Sequence, residues 1–376
     1  MKLLKVAMLT TKLQPGSGIS RHTVEISKCL IKRGHDITVF AREVKLHPED
    51  LKVNELRFVG SKRLLWIRNL VTVLKGFSML RGFDIIHSQY YPVILCGSLK
   101  RLLQGTPHVF TFHGVTDVRF WRSLKRRCDM LNAKLGIFLG LRGADRVIAV
   151  SEYLRRVLKN DFGARNIVVI PNGVDTEFYN PKVSGDEMRR KLKLESSPTV
   201  LYVGRVVPHK GLQYLVRAAP LVLRELPETK FVITGEEKED GQEIKKLVDK
   251  MGVGNSVTFT GYVPEEDLPR IYAACDVFCS PSLWEGFGMP FIEASACGKP
   301  CVGFRTRAVP EVIKDYSTGI LVEPGNVKQL AEALSTILSD KGLAKRMGAK
   351  AAERVEKYYS WERIVDQLLE VYYSLV

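Results

Sequence analysis

DVFCSPSLWEGFGMPFIEASACGKPCVGF, residues 276–304, is the stretch whose reading decides the fold. DVFCSP is a short β-rich run, FGMPFIEASACG an apolar helix, and PCVGF a second β-rich run. Pro290 falls in the first turn of the helix, where its missing N–H costs nothing. A strand that leads through a glycine turn into a helix and then another strand is the unit of a parallel, doubly wound sheet. In such sheets ligands bind beyond the carboxyl ends of the strands, where loops enter helices, so the turn holding Glu285, Gly286 and Gly288 is where chemistry is expected.

The same pattern extends in both directions. KVAMLT, HDITVF, FDIIHS, HVFTFH, RVIAVS and NIVVIP are β-rich runs of the first half, with segments of helical spacing such as ISRHTVEISKCLIKRG between them. TVLYVG, KFVITG, SVTFTG, DVFCSP, PCVGF and GILVE repeat the pattern in the second half. A chain of 376 residues is too long for one ordinary core and suits two domains. The expectation is two facing Rossmann-like α/β domains with a cleft between them: residues 1–180, a linker at 181–197 that is polar and turn-rich, and residues 198–359. The last segment, 360–376, carries Ile364, Leu368, Val371 and Leu375 at helical spacing and is expected to pack back on the first domain.

Composition narrows the class. With 45% hydrophobic and 26% charged residues the chain reads as an ordinary soluble protein, and no apolar run approaches the roughly 20 residues of a membrane-spanning helix. The start, MKLLKVAMLTTKLQPGSG, reads as a strand entering a glycine loop rather than a signal peptide, so a cytoplasmic location is expected. Seven cysteines, an odd number set in apolar segments, read as free thiols. Cys275, Cys279, Cys297 and Cys301 form two C-x3-C pairs, but no tight knuckle separates either pair, and small core residues are the better reading than a zinc site.

LYVGRVVPHKGLQYLVRA, residues 201–218, places Arg205 and Lys210 just before a helix. Two cations beside a helix start form a phosphate site, although the stretch taken alone is equally a solvated basic turn. Around Gly286, Phe287, Gly288 and Met289 the backbone can approach a diphosphate and offer its amides. Glu293, one turn into the helix, is placed to accept hydrogen bonds from the vicinal hydroxyls of a ribose, and Glu285 from those of the attached sugar. Alone, this pair would also fit a solvated helix glutamate and a first-turn acid; the glycine turn, the proline and the upstream cations together favour the site. No D-x-D occurs in the chain, so a metal-independent reaction with no required cofactor is expected.

SLWEGFGMPFIEASACGKPCV, preceded by VGRVVPHKGL, resembles family 4 of the retaining glycosyltransferases of the GT-B fold, whose signature is E-x7-E. PGSGISRHTVEISKCLIKRGHDITVF, TFHG, VIAVSEYLRR, IPNGVDTEFYNP and VTFTGYVPEEDLPRIYAACDVFCSPS extend the likeness over nearly the whole chain. The resemblance implies transfer of a hexose from a nucleotide-diphosphate sugar to an acceptor hydroxyl, with retention of anomeric configuration. It implies Glu293 on the ribose, Glu285 on the transferred sugar, Arg205 and Lys210 on the diphosphate, Gly16 and Gly18 in a glycine loop against it, and His113 at the sugar. Gly235, Tyr262 and Val263 would border the nucleotide base, whose identity as uracil, guanine or adenine stays open. One departure stands out: FRTRAVPEVI has Arg307 and Ala308 where many members have two glycines.

The net charge of +16 lies in the first half. Residues 1–180 hold 30 Lys and Arg against 14 Asp and Glu, whereas residues 181–376 hold 27 of each, so the first domain is expected to meet an anionic partner. In RFWRSLKRRCDMLNAKLGIFLGLRG, residues 119–143, Phe120, Leu124, Leu131, Leu135 and Phe138 share one helical face, with Arg122, Lys125, Arg126 and Arg127 around the other. The pattern fits a helix lying on an anionic membrane and a lipid-linked acceptor, and fits equally a core helix with a solvated basic face. Nucleic acid is disfavoured because no recognition motif accompanies the charge. Two other classes compete with the transferase: a nucleotide-sugar epimerase of the same architecture, and a catalytically silent sugar-nucleotide-binding protein. Hydride transfer is poorer, since PGSGISRH lacks the third glycine of the dinucleotide fingerprint and HDITVF ends without a ribose-binding acid.

Overall fold

The computed structural model describes residues 2–56, 65–121, 123–236 and 240–376, the side chains of 65–68 excepted. The chain forms two compact units, one of Met1–Gly173 with Trp361–Val376, the other of Val174–Ser360.

In the first unit seven parallel strands, β1 (Lys5–Leu13), β2 (Asp36–Val44), β3 (Lys52–Glu55), β4 (Ile85–Ser88), β5 (His108–Phe112), β6 (Arg146–Ala149) and β7 (Ile167–Val169), are ordered β3-β2-β1-β4-β5-β6-β7. Helices α1 (Gly18–Lys32), α2 (Leu65–Met79), α3 (Val93–Gln104), α4 (Leu124–Gly140) and α5 (Glu152–Phe162) connect them. β1 is buried on both sides: Val6 and Met8 enter one core cluster, Ala7 and Leu9 the other. That is why central strands of a parallel sheet read as continuous apolar runs. Sequence periodicity overlooks β3, whose KVNE is a four-residue, partly exposed edge strand without an apolar run.

In the second unit β8 (Thr199–Val203), β9 (Lys230–Thr234), β10 (Val257–Gly261), β11 (Val277–Ser280), β12 (Cys301–Phe304) and β13 (Gly319–Val322) are ordered β10-β9-β8-β11-β12-β13, again all parallel. Its helices are α6 (Asp186–Lys191), α7 (Leu212–Glu225), α8 (Gly241–Lys250), α9 (Leu268–Ala273), α10 (Met289–Ala296), α11 (Val309–Val312), α12 (Val327–Ser339) and α13 (Lys341–Tyr359). One core cluster joins strand residues Val200, Tyr202, Phe231, Ile233, Val277 and Val302 to α7, α8 and α12.

The chain passes between units at Gly173–Val174 and again at Ser360–Trp361. Residues 181–197, expected as a linker, belong instead to the second unit. Arg189 donates to the carbonyls of Ala274 at 2.6 Å and Ser197 at 2.7 Å, and a Cβ on Gly185 would lie 2.4 Å from the Ala274 nitrogen. Its polar, turn-rich composition is that of a surface layer packed by hydrogen bonds, which composition alone does not separate from a linker. The last helix, α14 (Trp361–Tyr373), lies in the first unit, where Trp361, Ile364, Val365, Leu368 and Tyr372 join the core around Val6 and Met8.

Cys275, Cys279, Cys297 and Cys301 are all buried free thiols, and burial pushes the Cys275 and Cys301 thiols up to about 12. Among the described residues no group of three or more His, Cys, Asp and Glu could hold a metal, and no helix is long and apolar enough to cross a membrane.

Candidate active site

Each strand order reverses once, and that reversal places the functional loops. In the second unit β8 and β11 are neighbours, yet their connections leave in opposite directions, which opens a crevice at their carboxyl ends. The loop after β8 carries Arg205 and Lys210; the loop after β11 carries Glu285 to Met289. In the first unit the reversal lies between β1 and β4, followed by Gly16 and Gly18 after β1 and by Gln89 after β4, with His113 following the next strand, β5.

Local chemistry shapes the loop after β8. The Tyr202 hydroxyl donates to the Arg205 carbonyl at 3.1 Å, fixing the backbone beneath an exposed Arg205 side chain. Residues Pro208–Lys210 form a 3₁₀ turn that ends at Gly211, whose φ is 67°. A Cβ on Gly211 would lie 2.0 Å from the Pro281 carbonyl oxygen, so only glycine allows the loops after β8 and β11 to meet. Across that contact Lys210 Nζ donates to Glu285 Oε1 at 2.6 Å. Both side chains are largely buried, 15% and 8% exposed, so the ion pair is a designed junction of the two loops and not a surface pair. His209 beside it packs edge-on against Trp284, and burial, with Lys210 and Arg205 nearby, holds its pKa down to about 3.

α10 begins at Gly288, with φ 104°, and its Pro290 is in the first turn, so the helix start follows directly on Glu285. Phe287 is buried edge-on against Tyr359. Glu293 lies one turn into α10. It is 2% exposed, and its Oε2 accepts a hydrogen bond from Tyr272 of α9 at 2.7 Å. Tyr272 packs in turn between Tyr179 and Phe278. Tyr272 lies in a stretch quoted for its family likeness, but its pairing with Glu293 is visible only in the tertiary structure. The α10 helix is further seated by Gly348 of α13, where a Cβ would lie 1.9 Å from the Gly298 carbonyl oxygen.

Gly235 and Tyr262 follow β9 and β10. Gly235 has φ 138° and a Cβ there would lie 2.1 Å from the Gly204 oxygen, while its N–H donates to Gly261 at 2.8 Å. Its amide is thus committed to holding the two loops together and not open to a base. Tyr262 is half exposed at the sheet edge, with Val263 next to it. Arg307, in place of a family glycine, adopts φ 54°, the left-handed backbone that glycine takes without strain, and Ala308 is fully buried.

In the first unit Gly16 has φ 68° in the turn before α1, and Ser17 caps that helix by accepting from the Ser20 amide. Ser20 closes the loop by donating to the Lys12 carbonyl and accepting from the Gln14 amide. His113 makes a 2.9 Å contact from Nε2 to Gln89 Oε1 and lies edge-on to His22, with ring centroids 4.7 Å apart. Burial first, then His22 and His87, holds His113 well below the ordinary histidine range, so the imidazole is neutral. His22, Gln89, His87 and Tyr372 around it carry no sequence signature of their own.

Arg122 lies outside the described residues, and α4 carries most of the basic segment. Its packing face is Ala133, Gly136, Ile137 and Gly140, and a Cβ on Gly136 would lie 1.9 Å from the Tyr91 ring. The larger apolar residues Leu124, Leu131, Leu135 and Phe138 face outward, 41–74% exposed, beside exposed Lys125 and Arg127. The apolar face marked by the spacing is therefore not the buried one: the small residues, not the large ones, are inside.

Residues 16–178 match the model of Glycosyltransferase Family 4, and residues 184–354 that of Glycosyl transferases group 1. The chain is 32% identical over 383 residues to the GDP-mannose-dependent alpha-(1-6)-phosphatidylinositol monomannoside mannosyltransferase of Mycolicibacterium smegmatis, with 97% of each chain covered. It is 34% identical over 240 residues to the protein of the same name in Mycobacterium tuberculosis, a match that takes in 61% of each chain. Among solved structures, sucrose-phosphate synthase from Thermosynechococcus elongatus superposes with a TM-score of 0.85 at 25% identity, with 99% of each chain covered. Two Rossmann-like units with these matches to both establish that the chain belongs to family 4 of the GT-B glycosyltransferases.

Proposed function

We propose that the protein is a retaining hexosyltransferase that moves a hexose from a nucleoside-diphosphate sugar to an acceptor hydroxyl, without a bound divalent metal. The observation that carries this reading is the junction at the β8/β11 reversal, where Arg205, Lys210 and the start of α10 gather around one crevice. A diphosphate laid there meets a guanidinium fork, an ammonium and helix-start amides, the means of stabilising the charge that grows as the glycosidic bond breaks. An ammonium has three donors, so Lys210 can keep Glu285 while donating to a phosphate oxygen. Glu285, held in that way, is left one carboxylate oxygen for a sugar hydroxyl. For Glu293 the proposed ribose contact shares the carboxylate with Tyr272. Gly16 and Gly18 are assigned to the diphosphate and His113 to the sugar. No carboxylate nucleophile is assigned; the leaving phosphate accepts the proton of the acceptor hydroxyl as the new glycosidic bond forms on the same face.

Calorimetric titration with UDP, GDP, ADP and their hexose conjugates tests the donor reading. One nucleotide is expected to bind, with the affinity lost in Glu293→Ala; absence of binding by the whole panel would remove the reading. The relatives named above use GDP-mannose, which makes GDP the first nucleotide to titrate.

For the acceptor we propose a lipid-linked hydroxyl at an anionic membrane surface on the cytoplasmic face. Its support is α4, which turns Leu131, Leu135 and Phe138 outward beside basic residues, an arrangement suited to the headgroup boundary. The protein is expected to sediment with vesicles containing phosphatidylglycerol and not with pure phosphatidylcholine. Each Lys or Arg near the surface adds about 1 kcal/mol, so salt should release it, and Leu135→Ser with Phe138→Ser should reduce binding at low salt. A protein that stays in the supernatant at low salt is not a membrane-surface enzyme.

A further inference from the structure

Behind His113 the first unit contains a buried polar chain whose other members take no part in the proposed reaction. Gln89, fully buried just after β4, contacts His113 Nε2 through Oε1 at 2.9 Å. Its Nε2 lies 3.3 Å from His87 Nε2 and 3.5 Å from the Met8 sulfur. His87, also fully buried, continues to Thr111 Oγ1 at 2.7 Å from Nε2 and to the Tyr372 hydroxyl at 2.7 Å from Nδ1. Four elements, β4, β5, α14 and the loop after β5, thus meet in one line of hydrogen bonds.

The line has a direction. A thioether sulfur accepts hydrogen bonds and donates none, so the Gln89 group facing Met8 is its NH₂ and the group facing His113 is its carbonyl. A carbonyl only accepts; His113 must therefore donate from Nε2, which leaves its lone pair at Nδ1. The Gln89 NH₂ and the Thr111 hydroxyl then donate to His87 Nε2, and His87 donates from Nδ1 to Tyr372. Each ring nitrogen in the line then has one role, donor or acceptor, with the His87 Nε2 lone pair shared between two donors.

We propose that Gln89 is a positioning residue, which with His87 and Tyr372 behind it holds His113 as the Nε2–H tautomer with Nδ1 as an acceptor for a substrate hydroxyl. This assignment rests on the glycosyltransferase reading for its use but not for its geometry. Among the described residues the titratable groups that act on His113 are His22 from α1 and His87 from β4, both with pKa values lowered by burial, and no fixed charge among them competes with the amide for control of the ring. An amide here, where a carboxylate is the more common orienting partner of a histidine, keeps the ring uncharged, which preserves the lone pair that an imidazolium would lose.

The experiment is long-range ¹H–¹⁵N NMR of the histidine rings in the ligand-free full chain, with Gln89→Leu, Gln89→Glu and Tyr372→Phe, alongside pH profiles of donor turnover. The native protein is expected to show His113 protonated at Nε2 and neutral across the range in which free histidine titrates. Gln89→Glu places a carboxylate against Nε2, so His113 should become protonated near neutral pH, and kcat/KM should acquire an acid limb absent from the native profile. Gln89→Leu should lose the fixed tautomer and about tenfold in kcat with KM little changed, since one oriented hydrogen bond is removed. Tyr372→Phe should shift the His87 tautomer without unfolding the unit. An Nδ1–H tautomer of His113 in the native protein, or a His113 titration identical in Gln89→Glu, would overturn the proposal. Failure of every nucleotide sugar to turn over, with the NMR as expected, would instead count against the transferase reading.

Discussion

Lys210→Ala is expected to lower donor turnover about 10²–10³-fold, the loss of roughly 2.7–4 kcal/mol that follows removal of one preorganised donor to a developing charge. The structure adds a second consequence. Lys210 is the ion-pair partner of Glu285 at 2.6 Å, with both side chains largely buried, so the alanine also strands a carboxylate away from water. Breaking a buried pair from one side typically costs about 3–5 kcal/mol, whereas replacing both charges by neutral groups of similar volume is often neutral. Loss of activity in the single variant could therefore report an unfolded second unit rather than a missing phosphate contact.

The pair Lys210→Met with Glu285→Gln separates the two. Thermal unfolding of the second unit should fall in Lys210→Ala and recover in the double variant, while turnover stays low in both. The single Glu285→Gln should show the opposite split, since it leaves Lys210 with an uncompensated charge: nucleoside-diphosphate binding tightens as turnover falls. Turnover of Lys210→Ala within a few-fold of native would place the diphosphate somewhere other than the β8/β11 reversal.

Acid is expected to unfold the first unit well before the second. His22, His87 and His108 are buried there, and each has a pKa lowered from 6.5 by burial, His22 to about 3 and His108 to about 4. In the unfolded chain all three take up protons near pH 6.5; in the folded unit they do not until far lower pH. The unfolded state then binds more protons, so stability is full above about pH 6.5 and declines as pH falls. These three groups alone remove about 4 kcal/mol for each pH unit between roughly 6.5 and 4, comparable to the whole stability of many domains within two units, and His113, likewise lowered by burial, adds to the loss. The second unit holds one histidine, His209. Calorimetry from pH 7.5 to 5 should show one transition moving steeply downward and the other moving far less, since His209 alone, its pKa lowered to about 3, removes about 1.4 kcal/mol per pH unit below 6.5. Transitions that move together would mean that these imidazoles are hydrated in the folded protein.

His108 shows how sequence and structure divide the information. Its Nδ1 donates to the Gly143 carbonyl at 2.9 Å, its Nε2 meets the Ser88 hydroxyl at 3.0 Å, and it fits under α3 because Gly97 has no Cβ, which would lie 2.3 Å from the ring. None of these partners is adjacent in sequence, and none belongs to a motif. His113, by contrast, is legible in TFHG through the family resemblance, whereas Gln89, proposed to set its tautomer, is not.

The sequence by itself determined the parallel α/β architecture, its duplication and the loops that bear Arg205, Lys210, Glu285 and the α10 glycines, because strand and helix periods and turn residues are written within ten or so neighbours. The family likeness was legible in the same local segments. Tertiary structure alone decided the pairings: Lys210 with Glu285, Glu293 with Tyr272, and the line from His113 to Tyr372. It also decided which side of α4 faces out. Periodicity assigned the large apolar residues to a face but not to an interior, and close packing chose the face of Ala133, Gly136 and Gly140, where the absence of side-chain bulk lets the helix approach Tyr91 and Ile94. A period records what a helix repeats; the neighbour that packs against it determines what it buries.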